Sequence, residues 1–308
     1  MIIDVHYHFM RLPADEATAR TMLSHLLDDA ARTGYSKPID QVLPAYRDLM
    51  DDTECDKLVR RMAADGIDIT VVCVVDNTAM GLADERVLRI NELCANAVAK
   101  HPGKLIALAG IDPRRPNAPA LLRKCLTEYK MGGLKWHPDN GYYPNSKEAY
   151  AVLEVLNEFG LPLLTHCSPL PGSKAKFAHP IHLDDIAADF PRLEIIAAHM
   201  GHLWWHDWAA LAQFKPNISG DMAMWQLIAV ARPAIFRRYL REIIDNIGPH
   251  QILWATDGPV FEPLVSARQF IGIMKSLTQK SADGIVFTPA EVDAILGGNA
   301  ARVFKLNR

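Results

Sequence analysis

The 308-residue sequence predicts a (β/α)8 barrel, the TIM-barrel fold, built as one domain over residues 1–308. Eight short apolar runs alternate with amphipathic segments from end to end of the chain. Several of these runs are almost continuously apolar, as expected for parallel strands that are buried on both faces. No glycine-rich phosphate turn follows the first run, which argues against the competing doubly wound nucleotide-binding sheet.

The predicted strands, in order, are MIIDVH, IDITVVCVV, KLIALAGI, GGLKWH, LPLLTH, LEIIAAH, NISGD and QILWATD. Apolar residues at helical spacing lie between them, at 56–64, 85–99, 118–128, 147–159 and 235–246. Residues 9–52 are too long for a simple connection after the first strand, and they contain a helical pattern near 15–32. Because this insertion follows a barrel strand, we expect it either to cover part of the catalytic face or to pack on the rim.

Composition restricts the classes of partner. The 33 basic and 36 acidic residues give a net charge of −3, and no Lys/Arg run stands out. This balance argues against nucleic acid or an anionic membrane surface, and it favours a small-molecule substrate. The five cysteines are scattered and odd in number, as in a reducing compartment. No apolar stretch suggests a signal or a membrane span, so we expect a cytoplasmic protein, which could be a homo-oligomer.

The first strand ends in two histidines separated by one residue. Side chains at i and i+2 of a strand share a face, so His6 and His8 should project together. Two imidazoles on one face can bind one metal ion. By the same alternation Asp4 should lie on this face, where it could orient an imidazole or serve an unrelated buried hydrogen bond.

Other predicted strands end in residues of the same kind. Strand four carries Lys135 and ends at His137, and strand five ends at His166. Strand six ends at His199 and strand eight at Asp257. The C-terminal ends of barrel strands meet at the catalytic face. Since scattered histidines would not select the same strand end repeatedly, the sequence predicts a metal site there.

The set HxH, K, H, H and D on strands one, four, five, six and eight resembles the amidohydrolase superfamily. The phrases GGLKWHP, HPIHLDDIAADFPRLEIIAAHMG, LWATDGP and GGNAARVF are similar to its amidohydrolase-2 branch. That branch also contains non-oxidative decarboxylases related to aminocarboxymuconate semialdehyde decarboxylase. The resemblance implies a metal-dependent hydrolase type of barrel that binds a divalent metal, usually zinc. The implied ligands are His6, His8, His166 and Asp257, with His199 as a ligand of a second metal or an acid/base residue.

The chemistry of these side chains suggests their roles. Imidazoles and a carboxylate suit Zn²⁺, with Mn²⁺ or Fe²⁺ possible because thiolates do not dominate the set. Asp257 can bind the metal and accept a proton from metal-activated water. His199 can polarise the scissile bond or stabilise developing negative charge.

Lys135 leaves two interpretations open. In many superfamily members the matching lysine is carboxylated and bridges two metals, so the resemblance implies one or two ions here. Otherwise Lys135 pairs with an acidic group or with a substrate carboxylate. His137 shares the face of Lys135 and is expected to contact substrate. Trp204 follows strand six and could form part of an aromatic substrate wall, or pack at a helix start.

These observations predict a metal-dependent hydrolase that cleaves an amide, ester or lactone bond of a small polar or carboxylated substrate. The alternative is a metal-dependent non-oxidative decarboxylase that uses the same pocket. A catalytically idle barrel that binds a metabolite is a third, minor hypothesis. Metal content and activity assays separate the three.

Overall fold

The computed structural model describes residues 1–170 and 173–306, apart from the side chain at position 29. Eight parallel strands form one sheet in which each strand pairs with the next in the sequence. The strands are β1 (Ile3–His8), β2 (Ile69–Cys73), β3 (Leu105–Gly110), β4 (Leu134–Trp136), β5 (Leu163–Thr165), β6 (Ile195–Ala197), β7 (Ile218–Asp221) and β8 (Ile252–Leu253).

The two edge strands meet and close the sheet. The Val5 N–H donates to the Trp254 carbonyl just beyond β8 at 3.3 Å, and Tyr7 forms a parallel bridge with Gly258. Apolar side chains fill the interior, including Ile3, Val5, Val71, Leu108, Leu164, Ile196 and Leu253. The predicted (β/α)8 barrel is confirmed.

Helices surround the barrel and connect its strands. They are α1 (Glu16–Arg32), α2 (Ile39–Met50), α3 (Asp56–Asp65), α4 (Asp84–Ala99), α5 (Ala118–Thr127), α6 (Lys147–Phe159), α7 (His182–Asp189), α8 (Trp205–Phe214), α9 (Trp225–Ala231), α10 (Pro233–Ile247), α11 (Ala267–Ser276), α12 (Pro289–Asp293) and α13 (Asn299–Val303). None of the helices in the described part of the chain combines the length and the apolar character that crossing a bilayer requires.

The segment between β1 and α3 contains two helices, whereas the sequence pattern indicated only the first. The second, α2, has Pro44 in its interior, a residue that normally argues against a helix. Tertiary contacts stabilise it: the buried Tyr46 hydroxyl donates to the Val260 carbonyl at 2.6 Å, beyond β8. This contact ties the segment to the C-terminal end of the barrel.

A bulge in β1 changes which side chains face the barrel interior. Asp4 pairs with Thr70 and Tyr7 pairs with Val72, so three steps along β1 match two along β2. Asp4 therefore faces outward, where it lines a small cavity beside α3 and accepts hydrogen bonds from the Thr256 N–H and hydroxyl. The expectation that Asp4 shares a face with His6 and His8 is wrong, because strict alternation fails at the extra residue.

Candidate metal centre

A cavity of about 750 Å³ opens at the C-terminal ends of the strands. Its polar floor is formed by His8, His137, His166, His199 and Asp257. Each of them ends or follows a different strand, namely β1, β4, β5, β6 and β8. Apolar residues of the β1–α3 segment and of the loops after β2 and β8 form much of its wall, including Phe9, Leu26, Val74, Met80 and Phe261. Five of the seven residues predicted from strand ends thus line one cavity.

Three ligand atoms meet on this floor. His6 Nε2 lies 3.2 Å from His8 Nε2, and Asp257 Oδ1 lies 3.0 Å from His8 Nε2 and 3.5 Å from His6 Nε2. Ligand atoms around a tetrahedral ion with bonds of about 2.0–2.2 Å are themselves about 3.3–3.6 Å apart. The triangle therefore has the size of one face of a metal coordination shell.

The hydrogen bonds on the far side of each imidazole support this interpretation. His6 Nδ1 lies 3.0 Å from Asp221 Oδ2, and a carboxylate can only accept, so Nδ1 carries a proton and Nε2 is the nitrogen that can bind a metal. His8 Nδ1 lies 3.6 Å from Cys73 Sγ. Asp257 Oδ1 is buried, and the nearby imidazoles do not satisfy it with well-directed hydrogen bonds. Two ring nitrogens and a carboxylate oxygen that converge in this way fit a bound cation.

The electrostatic field around His6 also favours a positive charge. Burial and the Lys135 ammonium oppose its protonation, but the carboxylates of Asp221 and Asp257 outweigh them and raise the pKa of His6 to about 10. For Asp257, burial alone would raise the pKa, whereas the imidazoles of His6 and His8 hold it well below its usual range. The site is thus built to hold a cation beside ionised carboxylates.

His166 and His199 form a second pair beside the three-atom cluster. His199 Nε2 lies 3.1 Å from His166 Nδ1, while His166 Nε2 lies 2.9 Å from the Ser168 carbonyl. Burial lowers the pKa of His166 to about 3 and that of His199 well below its ordinary value, so both rings are neutral. Of the four ligands implied by the resemblance, the direct cluster contains three, and His166 contacts His199 instead.

Lys135 is buried and lies against the cluster. Its Nζ is 2.9 Å from His6 Nε2, the atom that a metal would need. A cationic Lys135 and a metal ion therefore compete for one lone pair, unless carboxylation turns the lysine into a ligand.

The two expected substrate contacts have different positions. His137 lines the cavity, stacks on His166 with ring centroids 4.6 Å apart, and pairs with Asp139 through Nδ1 at 3.1 Å. Burial lowers its pKa to about 4. Trp204 packs at 4.7 Å from the ring of His179 and is not among the described residues that line the cavity. Its placement corresponds to the packing alternative.

Several residues that complete the site were not assigned this role from the sequence. Asp221, at the end of β7, accepts from His6 Nδ1 through one carboxylate oxygen and from the His199 N–H through the other, at 2.8 Å. Cys73 and Asp139 carried no signal beyond their positions at or after strand ends. Groups of His, Cys and Asp bring their ligand atoms within 4.8 Å at His6/His8/Cys73, His6/His199/Asp221 and His137/Asp139/His166. The position at which each strand ends was the signal available for all of them.

Comparison with known proteins gives a consistent family and fold. The chain matches no curated protein. It resembles a dihydroxybenzoic acid decarboxylase from Polaromonas sp. JS666 with bound manganese and the inhibitor 2-nitroresorcinol, with 20% identity, a TM-score of 0.67, and coverage of 100% of this chain and 97% of the other. It resembles 5-carboxyvanillate decarboxylase LigW from Sphingomonas paucimobilis with 20% identity, a TM-score of 0.60 and coverage of 99% of each chain.

A third structure, an uncharacterized TIM-barrel protein from Bordetella bronchiseptica, is 17% identical, with a TM-score of 0.69 and coverage of 99% of this chain and 98% of the other. At such identities the likeness shows the fold. The family follows from the sequence itself, because the amidohydrolase family model matches residues 3–306. The resemblance inferred from the strand-end motifs is confirmed: the chain belongs to the amidohydrolase family.

Proposed function

We propose that the chain is a metal-dependent, non-oxidative decarboxylase of a hydroxylated aromatic or unsaturated acid. The observation that carries this proposal is the cluster of His6, His8 and Asp257 beneath a cavity with an apolar wall. The two named decarboxylases among the similar structures support it and favour this alternative over the hydrolase preferred from the sequence.

One metal position fits the contacts better than two. A binuclear hydrolytic centre needs a bridging group between the ions and free imidazoles at the second ion. Here Lys135 Nζ contacts His6 Nε2 at 2.9 Å, within the three-atom cluster. A site of two imidazoles and a carboxylate can hold either Zn²⁺ or Mn²⁺. The similar Polaromonas structure has bound manganese, so we propose Mn²⁺ beside Zn²⁺ as the ion to test.

In this function the side chains bind the acid and move one proton. A bound divalent cation would supply Lewis-acid stabilisation of negative charge on the substrate's oxygens. The neutral His137 and His199 sit at the floor, where the one N–H of each ring is at Nδ1 and donates to Asp139 or to the Ala223 carbonyl, at 3.1 Å in both cases. Nε2 of each ring can therefore accept a hydrogen bond from a substrate hydroxyl. The bond to the carboxyl carbon breaks with its electron pair left on the ring, CO₂ departs, and a proton forms the new C–H bond. No oxidant is consumed.

Asp257 is the group we assign to that proton. It reaches the cavity floor as an ionised carboxylate, so it can take a proton from the substrate hydroxyl and return it to carbon. In a hydrolase the same carboxylate would take its proton from water. The residues therefore serve either reaction, and the apolar wall favours the one that needs no water.

The test is a panel of hydroxybenzoates, lactones, esters and amides incubated with the protein after loading with Mn²⁺ or Zn²⁺. The expected result is CO₂ release from an aromatic acid and, in D₂O, a product carrying one deuterium at the carbon that lost CO₂. Hydrolysis of a lactone, ester or amide without CO₂ release would contradict the proposal and restore the hydrolase. A protein that binds metal and ligand yet turns over no member of the panel would be the idle barrel.

A further inference from the structure

We propose that the rim of the cavity contains a second anion-binding position, formed by Arg86 and Arg89 of α4. The substrate is then an extended acid that carries a second carboxylate or phosphate group at the end remote from the metal centre. This inference rests on the proposed function for the end of the substrate at the floor, and it concerns the opposite end.

The charges that line the cavity are the first support. Apart from Asp257 on the floor, each charged residue among its described lining is an arginine: Arg11, Arg86 and Arg89. The whole chain carries a net charge of −3, so a lining with this excess of cations does not reflect composition. A cleft lined by one sign of charge attracts ligands of the other sign.

The position of Arg86 does not contribute to the stability of the fold. It lies in the first turn of α4, where the helix dipole disfavours a cation. Arg89 forms an exposed pair with Glu92 at 2.7 Å, and Arg11 lies 3.4 Å from Asp51. In the part of the chain that the structure describes, no carboxylate pairs with Arg86. Its guanidinium is therefore available to a ligand.

A buried arginine holds the start of α4 in place. Arg115 binds both carboxylate oxygens of Asp76, at 2.6 and 2.8 Å. It also donates to the Leu82 carbonyl at 2.9 Å and to Asp84 at 2.8 Å. The network fixes the turn that presents Arg86, and it occupies Asp84, the acidic residue that begins the helix. A rigid element that presents a cation loses little entropy when an anion binds.

The size of the cavity supports an extended ligand. Its volume of about 750 Å³ lies in the upper part of the range of about 300–1,000 Å³ that is typical of sites for drug-sized molecules, well beyond a single benzoate ring. The wall between floor and rim is apolar, with Met80, Ile90 and Leu93 on the side of α4. A ligand with two charged ends and an apolar body matches this order of surfaces.

The test is calorimetric binding of aromatic acids without a ring hydroxyl, which lack the group that promotes loss of CO₂. The pairs are benzoate with terephthalate, 2-naphthoate with naphthalene-2,6-dicarboxylate, and biphenyl-4-carboxylate with biphenyl-4,4′-dicarboxylate. A phosphono analogue of the longest diacid is a further arm that distinguishes phosphate from carboxylate. We expect at least one diacid or its analogue to bind about 10-fold more tightly than its monoacid, as one charge-assisted contact provides.

The Arg86→Gln/Arg89→Gln variant should remove that gain, because it lowers the affinity for the diacid more than the affinity for the monoacid. The matched control is Arg60→Gln/Arg192→Gln, which removes the same charge at exposed residues outside the cavity lining and should keep the gain. Equal binding of monoacids and diacids in the wild-type protein, or a gain that survives in the Arg86/Arg89 variant, would overturn the inference. Because no turnover is measured, this outcome is independent of whether CO₂ release is found.

Discussion

Replacing Asp221 by asparagine is expected to lower metal affinity about 10- to 100-fold while the fold is kept. Asp221 ends β7 and is completely buried. One carboxylate oxygen accepts from His6 Nδ1 at 3.0 Å. The other accepts from the N–H groups of His199 at 2.8 Å and of Ala223 at 3.0 Å. Both oxygens are therefore acceptors: one orients the His6 ring, and the other binds two backbone N–H groups.

Asparagine has nearly the same shape but only one acceptor oxygen. If that oxygen serves the two N–H groups, the amide NH₂ faces His6 Nδ1, and the imidazole proton must move to Nε2, into the three-atom cluster. If the amide is flipped, two buried N–H groups lose their acceptor, at about 1–3 kcal/mol each. Binding metal must then cover this cost. A loss of about 1.4–2.7 kcal/mol corresponds to the 10- to 100-fold range.

The assay is a competition titration of Mn²⁺ and Zn²⁺ against a chromophoric chelator, with far-UV circular dichroism to verify the fold. Long-range ¹H–¹⁵N NMR of the metal-free protein reports which ring nitrogens of His6 are protonated. Asp139→Asn is the matched control, because Asp139 is also buried and paired with an imidazole, His137, that lies outside the cluster. Metal affinity of Asp221→Asn within about twofold of the wild type would refute the reasoning that Asp221 fixes the tautomer of His6.

Three further predictions address other parts of the site and the fold. Asp257→Asn should retain metal but lower kcat about 100-fold or more, since an amide cannot carry the proton; near-normal CO₂ release would assign that role to another residue, such as His199. Lys135→Met should bind one metal per chain at least as tightly as the wild type, because the ammonium of Lys135 competes for His6 Nε2 in the wild-type protein. If bicarbonate raises the metal occupancy of the wild type and the variant falls from two metals to one, Lys135 is instead a carboxylated bridge. Burial lowers the pKa of His202 to about 4, so the unfolded chain binds more protons between that pH and about 6.5, and stability should fall on acidification through this window. Urea denaturation at about pH 5 and about pH 7 should show a smaller difference for His202→Gln than for the wild type; an identical difference would exclude His202 as its source.

The insertion after β1 contains one helix that a local sequence pattern predicts and one that it does not. Its first helix has the expected apolar spacing, whereas α2 contains Pro44 and depends on Tyr46 reaching the Val260 carbonyl. That contact joins residues 214 positions apart. A pattern read along a short window contains no information about it, so the second helix was not predicted.

The first strand illustrates the same limit at the site itself. Alternation indicated that His6 and His8 share a face, and both reach the cluster. It also assigned Asp4 to that face, and the bulge against β2 places Asp4 outside the barrel. A bulge is a property of the pairing between two strands, and the sequence of one strand does not encode it alone.

The sequence by itself determined the barrel, its family and the set of residues at the strand ends, because apolar runs, their spacing and the residues that end them are local features. Only the tertiary structure decided which side chains contact each histidine: Asp221 contacts His6, Cys73 contacts His8, and His166 contacts His199. It also decided that Arg86, which resembles any other surface arginine in the sequence, lines the cavity. The physical reason is that hydrogen bonds and charges act through space, between strands and helices whose relative positions are fixed by closure of the whole barrel.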